Sequence, residues 1–274
     1  YAILISDFIA AGLLIFLFFK SGGRAGAPTM CAPILRSAAP LTVTRLCGSL
    51  MAVFVSLALP AVLTGAYGLT SAEATAEYGR ASGMVMPLLL APSSVVGSLS
   101  VVMIPEIASR NAGGDKNLSS AIRRSADFTC AVACAAFIAF ASCGDQIGNL
   151  LYADEKVGSQ LSFAAFIVLP LSLNSMAATS LNSLGRESRT FFSSAAGYLF
   201  LAAGILLLPR FMGIYGYYTA FFCYHCASLF CNVMQLKRVF PQGVGHGKYA
   251  ALIAVSCAVA LFVGAISSWT RGLG

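Results

Sequence analysis

The sequence predicts an all-α integral membrane protein that crosses the bilayer about eight times. Of its 274 residues, 58% are hydrophobic and only 10% are charged. Apolar runs of about twenty residues recur along the chain, and an α-helix of that length crosses the ~30 Å hydrocarbon core of a membrane. A soluble domain of this composition would expose large apolar patches. The recurring runs therefore indicate a multi-pass membrane protein.

The predicted spans alternate with more polar connections. The spans cover residues 1–19, 37–63, 84–104, 128–151, 157–184, 190–208, 217–236 and 249–269. The connection at 64–83 is predicted as a loop in which TSAEATAEYGR starts a helix at Thr70 or Ser71. The connection at 105–127 is the most polar and is predicted as a loop with a helix start at Asn117. The Gly- and Pro-rich segment at 21–36 is predicted as a linker.

Basic residues favour the cytoplasmic side of a membrane, and their distribution here predicts one orientation. If the connection after the first span is cytoplasmic, the connections on that side contain most of the Lys and Arg residues. They are Lys20, Arg24, Arg36, Arg110, Lys116, Arg123, Arg124, Arg186, Arg189, Lys237, Arg238 and Lys248. The opposite side contains Arg80, Lys156, Arg210 and Arg271. Because the bias repeats from one connection to the next, it supports both the span count and the sidedness.

Several other classes of protein are disfavoured. Membrane orientation explains the net charge of +7 better than nucleic-acid binding does, because no basic face is interleaved with aromatic residues. The chain opens inside an apolar run without a basic segment or a cleavage site, so we expect a piece of a longer protein rather than a signal peptide. Nine irregularly spaced cysteines do not predict a disulfide framework.

No enzyme constellation is visible in the sequence. It contains no P-loop, no pair of carboxylates within one span and no His placed to activate a nucleophile. We therefore predict no enzymatic activity, no catalytic residue, no cofactor and no metal site.

Arg45 lies inside the second predicted span. A charge inside the hydrocarbon core costs ~2.5 kcal/mol or more on insertion scales, so such residues usually face a polar cavity. A guanidinium in a cavity offers bidentate, charge-assisted hydrogen bonds to a diphosphate. The alternative is a side chain that extends to the cytoplasmic interface, since Arg45 lies about two helical turns beyond Ser37.

A group of motifs occurs in a fixed order in the segment that contains Arg45, residues 35–117. They are a span that begins with Pro, an Ala-Glu-Ala loop that leads to Tyr-Gly, a Gly-Met that opens the next span, and an Ile-Pro-Glu-Ile-Ala exit. The segment FIVLPLSLNSMAATSLNSLGR adds a polar span that ends at a Gly-containing cytoplasmic turn. Together they resemble the stage V sporulation protein B branch of the oligosaccharide flippases. That branch belongs to the multidrug/oligosaccharidyl-lipid/polysaccharide (MOP) exporter superfamily, which also contains the lipid II flippases.

The resemblance implies a division of the chain into four parts. Residues 1–20 would be the last span of an otherwise missing N-terminal lobe, and residues 21–36 a cytoplasmic linker between lobes. Residues 37–236 would form the C-terminal six-helix lobe of a fold like that of the multidrug and toxin extruders, and residues 237–274 an appended span.

The resemblance also implies a function and partners. The protein would move a polyprenyl-diphosphate-linked saccharide, a peptidoglycan or polysaccharide precursor, across the bacterial cytoplasmic membrane by alternating access. Its partners would be this lipid-linked substrate, membrane lipids and the missing lobe, with no nucleic acid. A Na⁺ or H⁺ gradient or the membrane potential would drive the movement.

Four residues are the predicted site. Arg45 and Arg80 would bind the diphosphate, Asn174 would bind sugar hydroxyls, and Asp7 would couple an ion. The spacing from Arg80 to Pro87 differs by about a residue from the pattern of the lipid II flippases. Each has an alternative: Arg80 pairs with Glu77 in a solvated loop, Asn174 bonds a neighbouring helix, and Asp7 lies at a hydrated interface.

Three other functions stay open. A cation-coupled multidrug exporter of the same superfamily would need a carboxylate deep in a cavity. A membrane thiol oxidoreductase would use Cys223 and Cys226, and a scaffold for envelope synthesis would tolerate loss of Arg45. The pair Arg123 and Arg124, with Lys116, either contacts anionic lipid or only sets the orientation.

Overall fold

The computed structural model describes residues 2–23, 31–113 and 118–239, and all regular structure in these ranges is helical. The helices are α1 (Ala2–Lys20), α2 (Cys31–Tyr67), α3 (Ser71–Arg80), α4 (Met86–Ala112), α5 (Leu118–Tyr152), α6 (Glu155–Ala164), α7 (Val168–Ser183), α8 (Glu187–Leu207), α9 (Pro209–Met212) and α10 (Ile214–Val239). A π-helical turn, Ala81–Val85, joins α3 to α4, and a 3₁₀ turn, Ala165–Ile167, joins α6 to α7.

Five helices in the described ranges are long and apolar enough to cross a membrane. They are Ala38–Tyr67, Ser71–Ser98, Leu118–Tyr152, Glu155–Ser183 and Glu187–Leu207. A shorter apolar helix, Phe8–Lys20, lies within α1. Helix α10 occupies the seventh predicted span but is not among the five, and it contains several Tyr, His, Asn and Gln residues. The eighth predicted span, 249–269, lies outside the described residues.

The predicted loops at 64–83 and 105–127 are mostly helical, which corrects the sequence prediction. The first contains α3, which begins as predicted with Thr70 as its N-cap: the Thr70 side chain accepts the backbone N–H of Glu73, and the Glu73 carboxylate accepts that of Thr70. Helix α3 then continues into α4.

In the second region, α4 runs through Pro105 to Ala112 and α5 begins at Leu118. The predicted helix start at Asn117 falls outside the described residues. The last part of the predicted linker, from Cys31, is also helical.

The chain divides into two compact units, Tyr1–Ala38 and Ala39–Gly274. In the first unit, α1 is an apolar helix that ends at Lys20. The second unit contains six long helical segments in its described part, if α3 with α4 and α6 with α7 each count as one. These six segments correspond in order to the six helices predicted for residues 37–236.

The main core of the second unit is one large cluster of buried side chains to which every long segment contributes. Its largest fully buried members include Leu59, Leu89, Leu161, Ile205 and Tyr218. The most extensive backbone contacts join α8 to α10, α5 to α6, α7 to α10, and both α4 and α5 to α7. Within the described residues, α2 makes no comparably extensive backbone contact and meets the bundle through side chains.

Small residues bring α5 and α6 into backbone contact. Gly144 and Gly148 lie one turn apart on α5, and Gly158 and Ser162 lie one turn apart on α6. A Cβ added to Gly148 would overlap the backbone of Gly158, and one added to Gly158 would lie 2.6 Å from Cα of Asp145. Small residues four apart allow helices to approach closely in membranes, where packing rather than water expulsion drives association. This small-residue seam is visible in the sequence as Gly-x-x-x-Gly and Gly-x-x-x-Ser but was not part of the prediction.

Three connections of the second unit lie around one pocket. Tyr67, Lys156 and Gly213, from the α2–α3, α5–α6 and α9–α10 connections, surround one pocket of about 220 Å³. At another place, Ile107 of α4 packs with Leu118 of α5. In the orientation predicted from the sequence, these three connections lie on the side of the membrane with fewer basic residues.

Candidate functional site: an aromatic cavity and a polar network

A cavity of about 420 Å³ lies in the second unit between α2, the α3–α4 segment, α8 and α10. Most of its lining is aromatic or apolar, and we call it the aromatic cavity. It is lined from α2 by Gly48, Met51, Ala52 and Val55, from the α3–α4 segment by Tyr78, Ser82, Met86 and Leu90, from α8 by Tyr198 and Leu201, and from α10 by Tyr217, Phe221, Tyr224 and His225. Volumes of about 300–1,000 Å³ are typical of small-molecule sites.

Two tyrosines from different helices form one wall of the aromatic cavity. The rings of Tyr198 and Tyr224 are stacked, with centroids 5.2 Å apart and an angle of 13° between their planes. Glycines make room for this pair. A Cβ on Gly48 would lie 2.8 Å from the Tyr198 hydroxyl oxygen, and one on Gly197 would lie 2.7 Å from the Tyr224 ring. The pair therefore depends on close approach of three helices.

His225 is a polar group in the same wall. Its ring lies edge-on to Tyr224, with centroids 4.5 Å apart, and 5.8 Å from the ring of Phe221. Its Nδ1 atom is buried and has no hydrogen-bond partner within the described part of the chain. A buried polar atom without a partner is costly, so it marks a place where a ligand or water can bind.

The π turn is part of the α3–α4 segment that lines the aromatic cavity. Pro87 has no N–H to donate to Gly83, and its ring crowds the carbonyl of that residue, so the α-helical ladder cannot continue through this turn. The backbone N–H of Met86 instead donates to the carbonyl of Ala81, five residues earlier. Ser82 inside the π turn and Met86 after it both line the aromatic cavity.

Arg45 lies at the edge of the α2 face that lines the aromatic cavity. It precedes Gly48 by three residues, a rise of about 4.5 Å along a helix axis. Its side chain is exposed, and no hydrogen bond or ion pair joins it to another described residue. It does not line the cavity itself.

Arg80 lies elsewhere, in a network that connects α3 to the α5–α6 turn. Its Nε donates to the Asp154 carboxylate at 2.8 Å, and its Nη1 donates to Glu77 at 3.2 Å. The predicted alternative, pairing with Glu77, is therefore present, although Arg80 lies on a helix and not in a loop. Lys156 also reaches Glu77, at 3.2 Å. Sequence reasoning missed Asp154 because the two residues are 74 positions apart.

The same network continues into the core through Gln160. The Gln160 amide nitrogen donates to Glu77 at 2.7 Å, and its amide oxygen accepts the Tyr218 hydroxyl at 2.8 Å. Gln160 is 2% exposed and Tyr218 is 0% exposed, so both groups depend on these bonds. The polar network thus joins α3, α6 and α10.

The Asp154 carboxyl gives the network a testable pH dependence. The hydrogen bond from Arg80 lowers the pKa of Asp154, and this carboxylate also accepts the backbone N–H of Lys156 as the N-cap of α6. A lowered folded-state pKa stabilises the fold above the unfolded pKa of about 3.9, and the contribution disappears as the pH falls through the folded value.

We expect Asp154→Asn to be less stable than wild type at pH 7 by up to ~1 kcal/mol, and the difference to be smaller at pH 3, because Asn retains the cap but not the charge. Unfolding in detergent, followed at both values of pH, measures it. Glu155→Gln, an exposed neighbour, is the control. An equal difference between Asp154→Asn and wild type at both values of pH would contradict this account.

Asn174 is buried between α7 and α10. Its side-chain oxygen accepts a hydrogen bond from the Asn232 amide nitrogen at 2.9 Å, which is the interhelical bond predicted as its alternative role. Asn174 does not line the aromatic cavity. The structure therefore brings Arg45, Arg80 and Asn174 to three different places.

The other predicted residues are placed as follows. Asp7 belongs to α1, and its side chain lies outside the described part. Arg123 and Arg124 are exposed on α5. Cys223 and Cys226 are free and partly buried on α10. The Tyr and His between these two cysteines, and not the thiols, line the aromatic cavity. In the described ranges, no group of three His, Cys, Asp or Glu side chains is placed to hold a metal ion.

The helices and the cavity define an all-α, multi-pass membrane protein with a small-molecule-sized cavity inside one helical bundle. No protein-family model, curated protein or solved structure matches this chain.

Proposed function

We propose that this protein is one lobe of a flippase that moves a polyprenyl-diphosphate-linked saccharide across the bacterial cytoplasmic membrane. One observation carries the proposal: an exposed arginine on a membrane-spanning helix, Arg45, lies one turn from a cavity inside the bundle. The motifs that resemble the oligosaccharide flippases give the substrate class.

The physical problem of flipping a lipid-linked saccharide fits this arrangement. The polyprenyl tail can stay in the hydrocarbon, whereas the diphosphate and sugar cannot cross it without polar partners. A guanidinium holds two phosphate oxygens in fixed geometry. A cavity between the helices, partly open to the surface, gives the sugar a place to bind. Arg45 and the aromatic cavity would serve the two parts of one head group.

The proposal assigns residues 39–239 to the second of two lobes, between which the substrate passes as the lobes rock. Helix α2 makes few backbone contacts with its neighbours and packs through side chains, which suits a helix that moves during such a cycle. A Na⁺ or H⁺ gradient or the membrane potential supplies the energy.

We expect Arg45→Ala to lower translocation of a polyprenyl-diphosphate-linked disaccharide by at least tenfold, because a guanidinium contact to a phosphate stabilises it by about 1.5 kcal/mol or more. The full-length protein is placed in vesicles, and the precursor that reaches the far leaflet is measured. Arg45→Lys distinguishes the need for charge from the need for the guanidinium fork.

Arg210→Ala is the matched control, since Arg210 is exposed and donates to the Leu206 carbonyl on its own segment of the chain. If Arg45→Ala and Arg45→Lys both match wild type, Arg45 is an interfacial anchor. If wild type moves no precursor, the flippase proposal fails.

A further inference from the structure

We propose that the aromatic cavity binds an uncharged sugar ring, and that it is the saccharide subsite of the transported molecule. The inference rests on the proposed transport function, with Arg45 holding the diphosphate beside it. The shape, polar groups and charge of the lining, and its distance from Arg45, support the inference.

The stacked pair Tyr198 and Tyr224 provides the surface that a sugar ring requires. One face of a pyranose presents C–H groups, whose weak positive charge is attracted to the negative face of an aromatic ring. Phe221 and Tyr217 extend this aromatic wall along α10. The cavity volume of about 420 Å³ accommodates a small saccharide.

The polar groups of the lining match the rim of hydroxyls around a sugar. His225 borders the cavity, and its Nδ1 atom is buried and lacks a hydrogen-bond partner in the described structure. An imidazole nitrogen can exchange a hydrogen bond with a hydroxyl in either direction. The hydroxyls of Tyr78 and Tyr198 add donors and acceptors on two other helices.

The charge of the lining selects a neutral ligand. None of the described residues that line the cavity is Asp, Glu, Lys or Arg. A cation would find aromatic faces but no carboxylate, and a desolvated ion without a counter-charge is costly. An anion would find no Lys or Arg inside, although Arg45 lies one turn outside.

The spacing joins the two subsites. Arg45 and Gly48 differ by about 4.5 Å along the α2 axis. In a lipid-linked saccharide the first sugar is bonded directly to the diphosphate. A diphosphate held at Arg45 therefore leaves the first sugar at the mouth of the aromatic cavity.

Binding of a neutral probe tests the inference without transport. The probe is the methyl glycoside of N,N′-diacetylchitobiose, and saturation-transfer NMR measures its binding to the full-length protein in nanodiscs. We expect Tyr224→Ala to weaken binding at least tenfold and His225→Phe, which retains the ring shape, to weaken it about threefold or more. Tyr67→Ala is the control, because Tyr67 is half exposed and lies outside this cavity.

Each outcome decides the inference separately from the transport proposal. Saccharide binding that depends on Tyr224 and His225 supports the inference, even if no precursor is translocated, in which case only the transport function fails. The inference is overturned if wild type does not bind the probe, or if Tyr224→Ala and His225→Phe both bind it as tightly as wild type. This holds even where translocation depends on Arg45. Tyr224-dependent binding of tetraethylammonium in place of the disaccharide also overturns it and identifies a cation site.

Discussion

Gly148→Val is expected to prevent α5 and α6 from packing, with a loss of more than about 3 kcal/mol in the free energy of unfolding. The backbone of Gly158 and Val157 occupies the space that a side chain at position 148 needs. Overpacking against flexible side chains costs about 1–3 kcal/mol, and backbone cannot yield as side chains do. In a membrane the helices have no hydrophobic gain from association to offset the separation.

The matched control is Gly65→Val in α2. Gly65 is also helical, and a Cβ there meets no atom within 4 Å. Both variants place a β-branched Val in a helix, with the same change in helix propensity. The difference in stability between them therefore measures only the contact of position 148 with the backbone of α6. The measurements are the monodisperse fraction after purification in detergent and the midpoint of thermal unfolding. Equal behaviour of the two variants would show that α5 and α6 separate without loss of the fold.

Gln160→Leu is expected to cost about 2–3 kcal/mol in the free energy of unfolding, although leucine is apolar and of similar size. It leaves the buried Tyr218 hydroxyl without its acceptor and removes one donor to Glu77. A buried polar group that loses its partner keeps its full desolvation penalty, about 1–3 kcal/mol. The loss should therefore exceed that of an ordinary surface substitution.

A double-mutant cycle with Tyr218→Phe isolates the Gln160–Tyr218 bond. Because Tyr218→Phe removes the stranded hydroxyl, the double variant should be more stable than the sum of the single losses predicts, by about 1 kcal/mol. Reversible unfolding in mixed detergent micelles measures all four proteins. Strict additivity would mean that the 2.8 Å contact contributes nothing to stability.

The helical bundle was predictable because membrane spans are encoded locally. Length and hydrophobicity are properties of single segments, so the six segments of the second unit follow in order from the sequence. The predictions failed at 64–83 and 105–127, where polarity suggested loops. Glu77 and Arg80 are charged yet helical because their partners, Lys156, Gln160 and Asp154, come from a distant part of the chain.

The predicted site residues show the same division. Arg45 was recognisable because a charge in an apolar run is anomalous by itself. The aromatic cavity was not, since Tyr198 and Tyr224 are unremarkable residues of two separate spans until α8 and α10 approach across Gly197. The spacing of Tyr217, Phe221 and Tyr224 on one face of α10 was the available signal.

The sequence by itself determined the class of protein and the order of its spans in the second unit. These depend on transfer of each segment into lipid and on the charge of its flanks, which are additive along the chain. Only the tertiary structure decided that Arg80 is paired with Asp154, that Asn174 bonds Asn232, and that a tyrosine pair lines a cavity beside Arg45. Those outcomes depend on which helices become neighbours. Close contacts at glycines such as Gly148, Gly158 and Gly197 allow particular helices to pack together.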